Sequence, residues 1–281
     1  MKTFTKIGLI IALIAIGLGI GLLLLTAGER SPLRYTNTLS VNDTVRDVRE
    51  LDIRMDFGEI LISQGDEFSI EAENLYDKND LKSSVSDGVW TIRHDFSENI
   101  GLFGFKVPIT TIGIGKFDSP KIKITLPKDF QAENIRISLQ AGRLKADDLH
   151  TDKGHFTVDA GSLEVDRLVV EDKSSYYVGA GQIYLEQVDI RNISVECAVG
   201  SVSMEGIVTG DNEIRCDVGK ITMDLDDDMD LFTFDIDSIL GNVIINNRVY
   251  HNYRSTNDNE KYKGSFQLNV DVGNITMDFN E

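Results

Sequence analysis

Apolar and polar residues alternate in short runs along this chain, and through its second half the alternation restarts at a glycine every nineteen or twenty positions. The runs read LQAGRLKAD around Gly142, VDAGSLEVD around Gly161, VGAGQIYLE around Gly181, CAVGSVSME around Gly200 and CDVGKITMD around Gly219. Looser copies surround Gly241, Gly273 and, far upstream, Gly58. Three positions before the glycine stand Leu139, Val158, Val178, Cys197, Cys216 and Val270; two after it stand Leu144, Leu163, Ile183, Val202, Ile221, Val243 and Ile275. Four after it come Ala146, Val165, Leu185, Met204, Met223, Ile245 and Met277. A period of two on both sides of the glycine predicts two strands, each with one buried face. The residues one before the glycine (Ala141, Ala160, Ala180, Val199, Val218, Leu240 and Val272) are apolar too. The inward set therefore reads −3, −1, +2, +4, with a one-residue slip at a corner that glycine tolerates.

A further apolar pair, as in Leu149 with Thr151, Leu168 with Val170 and Val188 with Ile190, predicts a third short side that closes each repeat into one coil. Fixed-period units of this size stack on their neighbours and share a continuous core. The fold class expected is all-β, a parallel β-solenoid with coils of ~19–20 residues and equivalent strands about 4.8 Å apart. A meandering antiparallel sandwich also shows short strands at regular spacing. Position-matched side chains favour stacking over that alternative.

The N-terminus reads differently. Ile7 to Ala27 is an uninterrupted apolar run, long enough as a helix to cross about 30 Å of hydrocarbon. Lys2 and Lys6 precede it and Glu29 follows, which places the N-terminus in the cytoplasm. A cleaved signal peptide is the alternative, but its apolar core is shorter and Leu25-Thr26-Ala27 is a poor cleavage site. The organisation expected is a cytoplasmic stub and transmembrane anchor over 1–27, a tether over 28–44 and the solenoid over 45–281. Within the solenoid, 45–140 is irregular and carries a protruding loop at 95–119. Regular coils fill 141–281, with a polar surface loop at 246–263. The aromatics Phe96, Phe103, Phe105 and Phe117 make the first loop either a contact site or a cap over the solenoid end.

Composition narrows the function. The net charge is −18, and removing Lys2 and Lys6 leaves −20 beyond the anchor. That excess argues against nucleic acid and against docking on anionic lipid. Five positions after each glycine stand Asp147, Asp166, Glu186, Glu205, Asp224, Asn246 and Asp278, outward and stacked in a row. The plain reading is a solvated negative face; the sharper one is a ladder for calcium or another divalent cation, or for a polycationic partner. The acidic stretch Met223–Asp230 lacks the glycine and terminal glutamate of an EF-hand and reads as a turn. Cys197 and Cys216 share one inward position and read as buried thiols, although their spacing is within disulfide range. His94, His150, His155 and His251 show no ligand spacing, and no phosphate-binding, dinucleotide or nucleophile-elbow motif occurs. No catalytic residue, cofactor site or confident metal site is expected.

The apolar N-terminal run, the LPKDF segment before the first regular repeat, and the successive AG-x-L-x-V and VG-x-I-x-M units resemble the bacterial β-strand-repeat family of "putative adhesins", a former domain of unknown function. The resemblance implies a solenoid-like envelope protein without established catalytic residues, and some relatives are tied to envelope-stress regulation. The function expected is a membrane-anchored extracytoplasmic β-solenoid acting as a non-catalytic, adhesin-like binding or scaffold module of the bacterial envelope. Its partners would be the membrane, through the anchor, and an envelope protein or the cell wall. The alternative is a regulatory or sensory subunit in envelope-stress signalling. A carbohydrate-active enzyme is less favoured, because no acid pair is set apart by its spacing.

Overall fold

The computed structural model describes residues 48–75, 79–95, 99–102, 105–108, 119–257 and 260–280. The expected anchor over 1–27 and tether over 28–44 lie outside the described residues. Strands β1 (Glu50–Gly65), β2 (Ser69–Glu73), β3 (Leu81–Ser86) and β4 (Val89–His94) come first. A separate antiparallel hairpin follows, formed by β5 (Asn99–Leu102) and β6 (Phe105–Pro108), and then β7 (Lys121–Pro127). Strand β8 (Ala132–Val178) is 47 residues long because its backbone pairing continues around corners. After it come β9 (Gln182–Arg191), β10 (Ile193–Cys197), β11 (Ser201–Cys216), β12 (Lys220–Leu225), β13 (Phe232–Ser238), β14 (Asn242–Ile245), β15 (Arg248–Tyr250), β16 (Tyr253–Arg254), β17 (Gly264–Val270) and β18 (Asn274–Phe279). Among the described residues one 3-10 turn, Met229–Leu231, is the only helical element.

The coils stack in parallel and in register, as the repeat predicts. Leu163 pairs with Ile183, Ile183 with Val202, Val202 with Ile221 and Ile221 with Ile275. Val178, Cys197, Cys216 and Val270 form a second ladder, and Val165, Leu185, Met204, Met223 and Met277 a third. All are buried in a single core. The third side is present too, with Leu149, Thr151, Leu168, Val170, Val188 and Ile190 buried.

One expectation fails: the residues before the glycine do not point inward. Ala160 and Ala180 are exposed, Val199 and Val218 half-buried, and Val272 and Leu240 are 45% and 71% exposed. The corner bends over positions −2 to 0, so both residues before the glycine lie outside, and their amides continue the ladder. Ala180 N donates to Asp159 O at 2.8 Å, and Val199 N to Gly179 O at 2.9 Å. The glycines also do two different jobs. Gly142 and Gly161 take φ of +138° and +153°, angles that L side chains rarely adopt. Gly181 and Gly200 have ordinary angles but lie against the coil beneath: a Cβ on Gly181 would come within 2.6 Å of Gly161 O, and one on Gly200 would strike Gly181 O.

At both ends the order of coils in space departs from the order in sequence. The first strand, β1, is not terminal: β4 and β7 stack outside it, and the antiparallel β3 and β2 lie outside those. Likewise β17 and β18, last in the chain, slide between the β11–β12 coil and the β13–β14 coil. Segment 246–263, expected as a loop, carries β15 and β16, which pair antiparallel on that outermost coil. The two ends are thereby closed by very short or reversed strands, which removes a long parallel edge that could recruit other chains. Aromatic rings fill the core ends: Phe68 meets Trp90 and Phe130 edge-on at 5.7 and 4.9 Å, and Phe266 packs against Phe232, Phe234 and Phe279.

Candidate functional site: the solenoid flanks

Because side chains alternate along each strand, every coil presents outward residues that stack on those of its neighbours. The acidic row belongs to this outer layer. Glu205 pairs with Asp224, and Asp224 with Asp278, while Asp147, Asp166 and Glu186 extend the row through the earlier coils. Asn246 stands beyond Asp278 and donates no charge; its Oδ1 accepts from Phe279 N at 2.8 Å. Lys145 lies 3.0 Å from Asp166, and Asn280 Nδ2 donates to Asp224. One carboxylate per coil does not gather several at one point, and among the described residues no group of three or more His, Cys, Asp or Glu could hold a metal ion.

Beside the row, Arg143 and Lys145 both contact Glu164, at 2.6 and 3.0 Å. Their hydrogen bonds hold the Glu164 carboxyl below the usual carboxylate range. Beyond that cluster the same face is mostly uncharged, with Gln182, Tyr184, Ser201, Ser203 and Thr222 in successive coils and Lys220 stacked on Ser201. The depression there is an open trough of about 500 Å³ between side chains.

Of the acidic stretch 223–230, residues 223–225 end β12 and only 226–230 form a turn, with structural partners. Asp227 receives Lys263 Nζ at 2.7 Å, and Asp228 caps the 3-10 turn by accepting Asp230 N at 2.9 Å. Cys197 and Cys216 pair in register as fully buried free thiols, and their mutual contact together with burial pushes the Cys216 thiol up. His150 and His155 point outward, to Glu171 at 3.1 Å and Ser175 at 2.8 Å. His94 is 1% exposed at the end of β4, where burial lowers its pKa against the opposing charges of Asp80, Asp56 and Asp95. Of the loop aromatics, Phe96, Phe103 and Phe117 lie outside the described residues, and Phe105 begins β6.

What the sequence pattern missed is the corner itself. With the −1 positions outside, Ala141, Ala160, Ala180, Val199, Val218, Val272 and Leu240 make a continuous apolar ridge along the stack. A signal was available: three successive alanines fill space poorly, whereas the true core ladders are Val, Leu, Ile and Met.

Solved structures with low overall likeness include one described as a putative cell adhesion protein from Clostridium sporogenes. It is 16% identical, covering 89% of this chain and 100% of that chain, with a TM-score of 0.39. A putative adhesin from Bacteroides fragilis is 12% identical over 88% and 98% of the two chains, with a TM-score of 0.43. Another from Parabacteroides distasonis is 12% identical over 89% and 98%, at 0.31. No curated protein matches the chain. The Toastrack DUF4097 family matches residues 48–280, nearly all of the stacked coils, and the chain belongs to that family.

Proposed function

We propose that the chain is a membrane-anchored, extracytoplasmic binding and scaffold module whose working surface is the flank of its solenoid. The observation that carries this reading is the register of the coils: outward positions stack on one another from coil to coil, which makes long, regular surfaces along the flank. Such surfaces suit an extended partner. A depression of about 260 Å³ is a polar hollow beneath the β7–β8 turn lined by Lys128, Gln131, Asp148, His150 and Arg167. Arg167 and Asp148 there are paired at 3.2 Å, so the hollow's charges already answer one another.

The test uses the full-length protein in its own membrane, with a photo-crosslinking amino acid in place of Tyr184, which is 43% exposed on the mostly uncharged face. Capture of a discrete envelope component supports the module. Release of new reducing ends from purified wall polysaccharide, lost on removing a flank carboxylate, would replace it with an enzyme. Exchanging residues 7–27 for an unrelated membrane span separates the regulatory alternative, which needs that particular helix, from a scaffold, which needs only an anchor.

A further inference from the structure

Beyond the half-buried Phe57, which stacks on Ala141 at the Gly58 corner, the apolar corner ridge grades in size along the stack. Reading the coils in spatial order, its side chains run Ala141, Ala160, Ala180, Val199, Val218, Val272 and Leu240. Over about 29 Å, six steps of about 4.8 Å, alanine gives way to valine and then leucine. The last corner adds a second large residue, Ile239, 70% exposed beside Leu240 at 71%. Every other described corner carries a polar or small residue in the place of Ile239: Gln140, Asp159, Gly179, Ala198, Asp217 and Asp271. Among the described residues nothing packs over these two large apolar side chains, and contiguous exposed apolar surface marks contact sites.

The ground beside the ridge is acidic on one side only. There the first face of the coils brings Asp159, Glu196, Asp217, Asp271 and Asp237 along the ridge, with Tyr177 among them, 38% exposed and paired with Glu196 in the next coil. Arg215, paired to Asp217 at 3.0 Å, is the one cation stacked in that column. Partial burial, and then the charges of Asp159, Glu196 and Asp217, push the Tyr177 hydroxyl pKa up; burial pushes the Asp159 carboxyl up as well. Arg215 answers Asp217 and, at longer range, Asp271 and Glu196, and the five acids still outnumber it. The other side of the ridge is Arg143, paired to Glu164, then Ser162, Gln182, Ser201, Lys220, Asn274 and Asn242, with no acid in the column. A second copy of this chain would bring like charge against like, since each carries a net −18.

We propose that this corner is the docking seam for a cationic amphipathic polypeptide segment of another protein. Its apolar residues lie on Val218, Val272, Leu240 and Ile239, and its lysines or arginines reach the Asp159–Tyr177–Asp217–Asp271 flank. The aromatic face of Tyr177 offers such cations a further contact. This rests on the binding-module reading and names the surface and partner chemistry for it.

The probe is a fluorescein-labelled synthetic helix with leucine on one face and lysine on the other, titrated by anisotropy into the full-length protein in detergent. A matched peptide with glutamate for lysine is the control. The lysine peptide binds and the glutamate peptide does not. The double variant Ile239→Ser/Leu240→Ser weakens binding at least tenfold, and Asp159→Asn/Asp271→Asn weakens it several-fold and flattens its salt dependence. Glu205→Gln/Asp224→Asn, in the acidic row of another face, leaves it unchanged. Equal loss in that last variant reduces the effect to net charge and overturns the seam. So does a shift from dimer to monomer on Ile239→Ser/Leu240→Ser in sedimentation, which makes the ridge a self-interface, or binding of the protein to zwitterionic vesicles through these residues. Failure of the peptide while Tyr184 crosslinking still captures a partner sinks this inference and leaves the module standing.

Discussion

The middle coils and the two ends of this solenoid solve the same packing problem differently. From Gly142 to Gly219 the chain lays each coil on the one before it, aliphatic on aliphatic apart from the stacked Phe156–Tyr176 pair, and space follows sequence. At the ends it cannot, because a terminal coil has a neighbour on one face only. There the chain reverses its order, slides the β17–β18 coil beneath β13–β14, stacks β4 and β7 outside β1, and closes with antiparallel strands. Rings take over from aliphatic side chains as the core tapers. Repetition thus suffices for the interior of a stack, whereas its ends need sequence of their own.

The largest effect should come from the aromatic plug at the C-terminal end. Phe266 is fully buried, with ring centroids 5.3 Å from Phe232, 5.7 Å from Phe234 and 6.1 Å from Phe279. Phe266→Ala should cost about 3–5 kcal/mol in urea unfolding, because three rings cannot collapse into the space of a fourth. Hydrogen exchange should show the loss concentrated in β13 to β18. An even loss over all coils would mean that the ends are not separate from the middle.

A middle coil is broken by adding an atom rather than removing one. Gly200→Ala places a methyl against the Gly181 carbonyl and Val178, and a backbone neighbour cannot swing aside. The expected cost is about 1–3 kcal/mol, the range for overpacking, measured by the same unfolding. Gly179, where the added carbon would keep 2.8 Å from Asp159 O, is the milder comparison.

Those glycines also mark how far the sequence could be read. Their period, the −3, +2 and +4 ladders and the third side follow from alternation alone, since a buried face admits only apolar residues. The −1 residues deceive because apolarity is necessary for burial but does not prove it: Leu240 and Ile239 are as apolar as any core residue yet stand outside. The inversion at the ends was illegible for another reason. Residues 264–279 look like the last coil of a series, and nothing in their own alternation says that Phe232–Ile245 lies beyond them. The outward side of the acidic positions follows from the inward ladders by one step, but the register shift beside Glu205 does not show in the alternation. The ridge, and with it the candidate seam, depends on the corner geometry that alternation does not encode.

A smaller effect separates the N-terminal end from the rest by pH. His94 lies buried at the end of β4, and its folded pKa is below the unfolded value of 6.5, chiefly through burial. The native state therefore prefers the neutral ring. The stability this confers is present above pH 6.5 and is lost as pH falls below that value, because the unfolded chain then binds the proton more readily. His155, also lowered by burial, adds in the same direction from the first regular coils. Melting between pH 7.5 and 5.5 should fall less in His94→Gln than in the unaltered protein, with exchange protection lost first in β3 and β4. An unchanged slope would place the acid sensitivity elsewhere.

The smallest effect concerns the acidic row and should have the opposite sign. Glu205 pairs in register with Asp224 at coil spacing of about 4.8 Å, while a register shift between Met204 and Gly206 sets it opposite the Glu186–Gln187 step of the coil below. Repulsion between neighbouring carboxylates there is worth roughly 1 kcal/mol in a water-like medium. No lysine or arginine lies within ion-pair distance of Glu205 among the described residues to offset it, whereas Asp166 has Lys145. Glu205→Gln keeps the shape and removes the charge, so it should stabilise the fold by up to about 1 kcal/mol at low ionic strength. The gain should shrink toward zero near 1 M salt, where the screening length falls to about 3 Å. Calcium would compete for the same repulsion. If the row takes up cations, millimolar calcium should raise the melting temperature of the unaltered protein and leave Glu205→Gln less affected. Equal response in both would assign any calcium effect to general screening of a chain that carries −18.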